Sequence, residues 1–125
     1  ILSIDIDGLK FINDTHGHLM GDELLRTCAK VFSEALRKSD LLARIGGDEF
    51  AAILPLTDEE TAGKIVLRID EALKHYNSND PKMQLEVSCG VATIMSECDS
   101  LEDTFKRADE KMYHNKLRRK RGTHD

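Results

Sequence analysis

A chain of 125 residues with 40% hydrophobic and 33% charged side chains suits one domain with a single core and leaves little room for a second. No apolar run approaches the roughly 18 residues of a membrane span, and a formal charge of −5 argues against nucleic-acid binding driven by overall charge. Three cysteines (Cys28, Cys89, Cys98) without a CxxC pair exclude a disulfide framework or a zinc pattern, so a reducing, cytoplasmic setting is expected.

Leu2, Ile4 and Ile6 alternate with Ser3, Asp5 and Asp7, the period of a half-buried strand that puts the two aspartates on one face near its end. The chain thus opens inside a strand, without Met or a signal-like segment, and is expected to be a domain of a longer protein. Residues 9–15 suit a short helix or turn. From Leu19 to Arg37 apolar residues recur at helical spacing. Leu41–Ile45 and Phe50–Leu54 are short apolar runs on either side of Gly46-Gly47, a hairpin signal. Thr57 and Glu60 resemble a capping box opening a helix with Ile65, Ile69 and Leu73 inward.

Residues 77–81 form a turn cluster, Met83–Val91 alternates as a long strand, and Ser100 caps a last helix carrying Leu101, Phe105, Ala108 and Met112. The order β-α-β-β-α-β-α predicts an α+β, ferredoxin-like antiparallel sheet with its helices on one side. Between Lys111 and Arg121 stand six basic residues and no acidic one. Residues 1–117 are therefore read as the folded domain and 118–125 as a basic, unfolded tail.

Two acidic groups carry the chemistry. Asp5 and Asp7 end a strand, and Asp48-Glu49 follow the double glycine. Carboxylates on a hairpin tip beside a strand end can converge on a hard cation, and the glycines leave the backbone open to a base or phosphate. Each signal alone is more often ordinary turn formation.

Taken together the residues resemble a family. Arg44-Ile45-Gly46-Gly47-Asp48-Glu49-Phe50 contains the GGDEF signature of diguanylate cyclases. Asp5-Ile6-Asp7-Gly8-Leu9-Lys10, Asn13-Asp14-Thr15-His16-Gly17-His18 and Gly21-Asp22 are similar to that family's upstream block. Val87–Ala92 resembles its "vSiGva" strand, and Ala108-Asp109 with Met112-Tyr113 its "ADxxLY" helix, so the likeness spans nearly the whole chain.

The resemblance implies a palm-type, nucleotide-cyclase-like fold and the condensation of two GTP into cyclic di-GMP with release of pyrophosphate. Two facing domains are required, so a homodimer is expected. Asp5, the Ile6 carbonyl and Asp48 would hold Mg²⁺ or Mn²⁺. Asp48 or Glu49 would take the 3′-hydroxyl proton, and the sequence does not choose between them; Glu49 could instead only orient the hairpin. Asn13 and Asp22 would read guanine, Lys10 and Lys111 would meet the phosphates, and Gly46 and Gly47 would give base and sugar room. His18 adjoins this pocket without needing a catalytic role.

Arg37-Lys38-Ser39-Asp40 matches the family's RxxD product-inhibition site, with Arg68 as an additional arginine. The family helix usually carries Lys and Arg where this chain has Glu110 and His114, which points to weakened triphosphate binding. The family's segment before the first strand is also missing. The second reading is therefore a catalytically weak GTP or cyclic di-GMP sensor regulating a neighbouring domain. A regulatory domain is expected on the N-terminal side, and the whole protein could be membrane-attached although this segment is not.

Overall fold

A computed structural model describes residues 1–79 and 84–122. The elements run β1 (Leu2–Ile6), α1 (Leu9–His16), α2 (His18–Ala35), β2 (Leu41–Arg44), β3 (Glu49–Ile53), α3 (Glu59–Ser78), β4 (Val87–Val91) and α4 (Leu101–Gly122). The strands form one sheet in the order β2-β3-β1-β4, each neighbouring pair antiparallel. Read from the other edge this is β4-β1-β3-β2, the order produced by a split β-α-β-β-α-β unit.

The sheet has helices on both faces, not one. Leu2, Ile4 and Ile6 join Leu24, Cys28 and Phe32 of α2 and Ile65 and Ile69 of α3 in the main core. There the Phe32 and Phe50 rings meet edge to face at 5.4 Å, a contact that adds about 0.5–1.5 kcal/mol beyond burial. The alternate residues of β1, Ser3 and Asp5, look polar enough for solvent but are covered by α4, so all five residues of the strand are buried. Ser3 Oγ donates to Asp109 Oδ1 of α4 at 3.2 Å. Gly90 of β4 lets the α4 backbone come so near that a Cβ there would stand 2.2 Å from Ala108 O.

Several boundaries depart from the sequence reading. Residues 9–16 are a full helix, joined to α2 through Gly17, whose φ of +89° lets one residue end α1 and begin α2. The α3 cap is Asp58, whose carboxylate accepts from Thr61 N at 2.8 Å, while Thr57 donates to Pro55 O and forms no capping box. Asn77 is still helical. Its amide bonds both Leu85 N and Leu85 O, so β4 begins only at Val87; residues 80–83 lie outside the described residues. Ser100 does cap α4, accepting from Asp103 N at 2.9 Å. The largest correction is at the C-terminus: the segment read as an unfolded tail from 118 is helical as far as Gly122, with 123–125 outside the described residues. Arg118 and Arg119 extend the helical repeat and find acceptors on Asn115 and Asp7, which favours continuation over fraying. No described helix is long and apolar enough to cross a membrane.

Candidate active site

Strand pairing builds the site. β1 runs antiparallel to β3 with Asp5 opposite Glu49, and Ile6 N donates to Asp48 O at 2.8 Å, so the two acidic segments, 43 positions apart, end side by side. On the other flank Asp7 N donates to Glu86 O at 2.8 Å, and Ser88 Oγ donates to Asp7 at 3.3 Å. Arg44 holds the hairpin between β2 and β3, donating to Gly46 O at 3.1 Å and Gly47 O at 3.0 Å. Neither glycine has a positive φ, and a Cβ would meet nothing within 4 Å at Gly47 and only Glu49 Cβ at 3.7 Å at Gly46. The fold does not demand glycine at either position; what their absence of side chain leaves is bare backbone facing open space.

α4 closes the site from the sheet's second face. Lys116 Nζ bonds Asp5 Oδ2 and lies 3.9 Å from Asp7 Oδ1, while Arg119 Nη1 reaches Asp7 Oδ2 at 3.1 Å. A cleft of about 510 Å³ is lined by Asp5, Glu49, Asp109, Glu110, His114 and Lys116, with Met112 and Tyr113 completing its wall. Burial pushes the Asp5 carboxyl up, the Lys116 hydrogen bond pulls it down, and the Asp48 and Asp7 charges leave it above its usual value. Burial also raises Glu49, and Asp109, Asp5 and Asp48 add to it, bringing it to about 7. Burial lowers the Lys116 ammonium, but the bond to Asp5 and the charges of Asp5, Asp7 and Asp48 outweigh it, so it is held up.

The carboxylate oxygens at the end of β1 suit a hard divalent cation, and an ammonium already answers their charge there. Among the described residues no three Asp, Glu, His or Cys side chains gather closely enough to cage a metal unaided.

The other expected residues fall into two places. Lys10, Asn13, His18 and Asp22 lie on α1 and the first turns of α2, beyond the end of β1. Asn13 lies against Gly21, next to Asp22; a Cβ on Gly21 would stand 1.7 Å from Asn13 Oδ1. No hydrogen bond or ion pair among the described residues joins this group to Asp5, Asp48 or Glu49. Arg37 and Asp40 meet at the far end of α2, in the turn to β2. Arg37 donates Nη2 to Asp40 Oδ1 at 2.8 Å and its main-chain N–H to Oδ2 at 2.7 Å; the positive charge of Arg68 also acts on Asp40.

Lys111 does not join the site: it turns toward Glu59 of α3, 3.9 Å away, and is exposed. Lys116 contacts Asp5 instead, and Arg119 contacts the neighbouring Asp7. Their signal was the helical spacing Asp109, Met112, Lys116, Arg119, which lies on one face with Lys111 off it.

The family model described as "Diguanylate cyclase, GGDEF domain" matches residues 1–122. The probable diguanylate cyclase DgcJ of Escherichia coli (strain K12) is 39% identical over 115 residues, covering 92% of this chain and 22% of that protein. The response regulator PleD of Caulobacter vibrioides is 40% identical over 123 residues, covering 92% of this chain and 26% of PleD. Among solved structures, the active GGEEF domain of a Vibrio cholerae diguanylate cyclase matches with a TM-score of 0.83 and 31% identity, over 94% of this chain and 75% of that one. The GGDEF domain of DgcB from Caulobacter crescentus in complex with c-di-GMP matches at 0.79 and 27%, over 93% and 70%. The chain thus spans about a quarter of the length of these curated relatives.

Proposed function

The chain belongs to the GGDEF domain family of diguanylate cyclases, and on that premise we propose that it condenses two GTP molecules into cyclic di-GMP within a dimer of two such domains. The observation that carries this reading is the Asp5–Glu49 register with the Ile6–Asp48 main-chain bond, which puts two pairs of carboxylates at one sheet end beside bare glycine backbone.

In this reading Asp5, Asp48 and the Ile6 carbonyl hold Mg²⁺ or Mn²⁺. Such a cation neutralises charge on the transferring phosphoryl group and lowers the pKa of the attacking hydroxyl. Asn13 and Asp22 offer an amide and a carboxylate to the guanine edge, whose N1–H and N2–H₂ donate. Gly46 and Gly47 let sugar and base lie on the hairpin. Lys10 and Lys116 are the cations available to the phosphates, and Arg119, one turn beyond Lys116, answers Asp7.

Each 3′-oxygen bonds to the other substrate's α-phosphorus as the bond to pyrophosphate breaks. The proton released passes to a carboxylate at the hairpin tip. Glu49, lifted to about 7, is the better matched to that role, because a base works best with a pKa near the working pH. A single domain supplies one GTP and half the pair of reactions, so turnover requires a second copy.

The turn holding Arg37 and Asp40, with Arg68 nearby, is the proposed product site. Arginine can bond guanine O6 and N7 bidentately, and the likeness to DgcB solved with c-di-GMP supports a site for that ligand. The domain is placed in the cytoplasm, where GTP is available, and any regulatory or membrane-anchoring part belongs to the longer protein.

Incubating the full-length protein with GTP and Mg²⁺ or Mn²⁺, then separating the nucleotides by chromatography, tests the proposal. Cyclic di-GMP is the expected product, and its absence at high protein concentration would overturn an enzymatic role. Glu110 and His114 in the cleft wall favour a second reading, a sensor that binds GTP or cyclic di-GMP with little turnover. Calorimetric binding of cyclic di-GMP without product formation would establish it.

A further inference from the structure

Asp5 and Asp7 at the end of β1 stand beside Asp48 and Glu49 of the β2–β3 hairpin, and Asp5 is only 7% exposed at its side chain. Such a group repels itself unless a positive charge sits among it. Lys116 supplies that charge from α4: its ammonium is bonded to Asp5 Oδ2 and lies 3.9 Å from Asp7, with the side chain 23% exposed. Arg119 answers Asp7 and Glu86 from one turn further on, at 3.1 and 3.9 Å, and does not touch Asp5.

We propose that Lys116 is a resident counter-cation that a divalent metal must displace from Asp5, so that metal loading at the β1 end is an exchange of one cation for another. The inference rests on the reading of Asp5 as a metal ligand. A divalent ion on the Asp5 carboxylate would stand within a few ångströms of the ammonium on Oδ2, and in a poorly solvated site that repulsion favours release of the lysine. The lysine can leave without undocking the helix. α4 has anchors independent of it: Asp109 on Ser3 at 3.2 Å, Asn115 on Cys89 O at 2.7 Å, and the backbone contact over Gly90. A flexible four-carbon stem makes the swing a matter of one side chain.

The exchange predicts an uncommon sign: removing a residue from the site tightens metal binding. Calorimetric titration of the full-length protein with Mn²⁺ alone, in the absence of nucleotide, reads it directly. Lys116→Met is expected to bind Mn²⁺ at least about tenfold more tightly, since one charge-assisted hydrogen bond no longer has to be broken. The same variant should melt at a lower temperature than the parent without metal and gain more from added Mn²⁺. Unchanged or weaker Mn²⁺ affinity would overturn the exchange, and Lys116→Gln carries the same measurement if the methionine variant does not fold. Asp5→Asn separates the two layers. If it leaves the affinity intact, Asp5 is no ligand and the site reading falls with the exchange. If it removes binding while Lys116→Met changes nothing, only the exchange falls.

Discussion

Arg37 turns its guanidinium back onto Asp40, with Nε at 3.1 Å and Nη2 at 2.8 Å from the carboxylate, and Nη2 also reaches Thr57 Oγ1 at 2.5 Å. The arginine proposed to read product therefore rests in a closed arrangement, held by one residue of its own turn and one at the entry to α3. A ligand bound there would compete with these contacts for the Nη2 donors. Removing the Thr57 hydroxyl with Thr57→Val leaves the Asp40 fork but releases Nη2 for a ligand. Calorimetry should show cyclic di-GMP binding several-fold more tightly to Thr57→Val, and binding lost in Arg37→Ala. Weaker binding in Thr57→Val would mean that the hydroxyl presents the arginine to product.

The same pair sets a dependence on acid. Burial raises the Asp40 carboxyl, but hydrogen bonds and charge from Arg37, with a contribution from Arg68, outweigh it and hold it below its ordinary value of 3.8. A carboxyl depressed in the folded state stabilises fully above its unfolded value, and that stabilisation fades as pH falls through the folded one. The stability difference between the parent protein and Asp40→Asn should therefore be flat above about pH 4 and shrink below it. Denaturant titrations at pH 3, 4, 5 and 7 measure this, and a difference that grows toward acid would contradict the pairing.

Glu49 runs with the opposite sign. Its carboxyl is raised from 4.5 to about 7 by burial and by Asp109, Asp5 and Asp48, so the folded protein holds a proton there that the unfolded chain has lost. Without metal, stability should fall as pH rises from about 4.5 to about 7, and Glu49→Gln should flatten that slope. On the catalytic side, Glu49→Gln should lower kcat by roughly 10²–10⁴-fold if Glu49 is the base. Asp48→Asn should instead abolish activity chiefly through lost metal affinity, visible as a loss of Mn²⁺ binding without nucleotide. Residual turnover close to that of the parent in Glu49→Gln would assign the proton to Asp48.

Where a residue's placement follows from its own strand or turn, the sequence showed it. The alternation Leu2–Ile6, the Gly46-Gly47 hairpin and the Arg37–Asp40 spacing each contain their geometry within a few residues, and the main-core faces of α2 and α3 follow from periodicity. What stayed hidden depends on which face of the sheet a helix takes. Nothing local to Ser3 or Asp5 says that α4 lies over them, so β1 read as half-solvated and the helices as one layer. The same blind spot hid what Lys116, at the end of the segment read as folded, and Arg119, in the segment read as a basic tail, would face. Lys111 drew attention by its closeness in sequence to Glu110, yet it lies on the side of α4 that faces Glu59. Thr57 was read as half of a capping box, because capping competence and a latch on a distant arginine require the same hydroxyl.

Two glycines should separate stability from substrate recognition. At Gly90 an added Cβ would stand 2.2 Å from both Ala108 O and Met112 N, and 2.8 Å from Met112 Cα. These are backbone atoms of α4 and cannot rotate away. Gly90→Ala must lift the helix from β4, with a cost of about 1–3 kcal/mol or more and a melting point lowered by several degrees. At Gly21 the clash is with a side chain: Asn13 Oδ1 at 1.7 Å and Cγ at 2.8 Å. Asn13 can turn aside, and alanine in a helix regains roughly 0.5–1 kcal/mol over glycine, so the melting point of Gly21→Ala should change little. Displacing Asn13 from beside Asp22 should nevertheless raise KM for GTP about tenfold or more, because a guanine donor or acceptor then goes unmatched. Thermal melts and GTP saturation curves on both variants measure the contrast. A Gly21→Ala protein with normal KM would remove Asn13 from the guanine site.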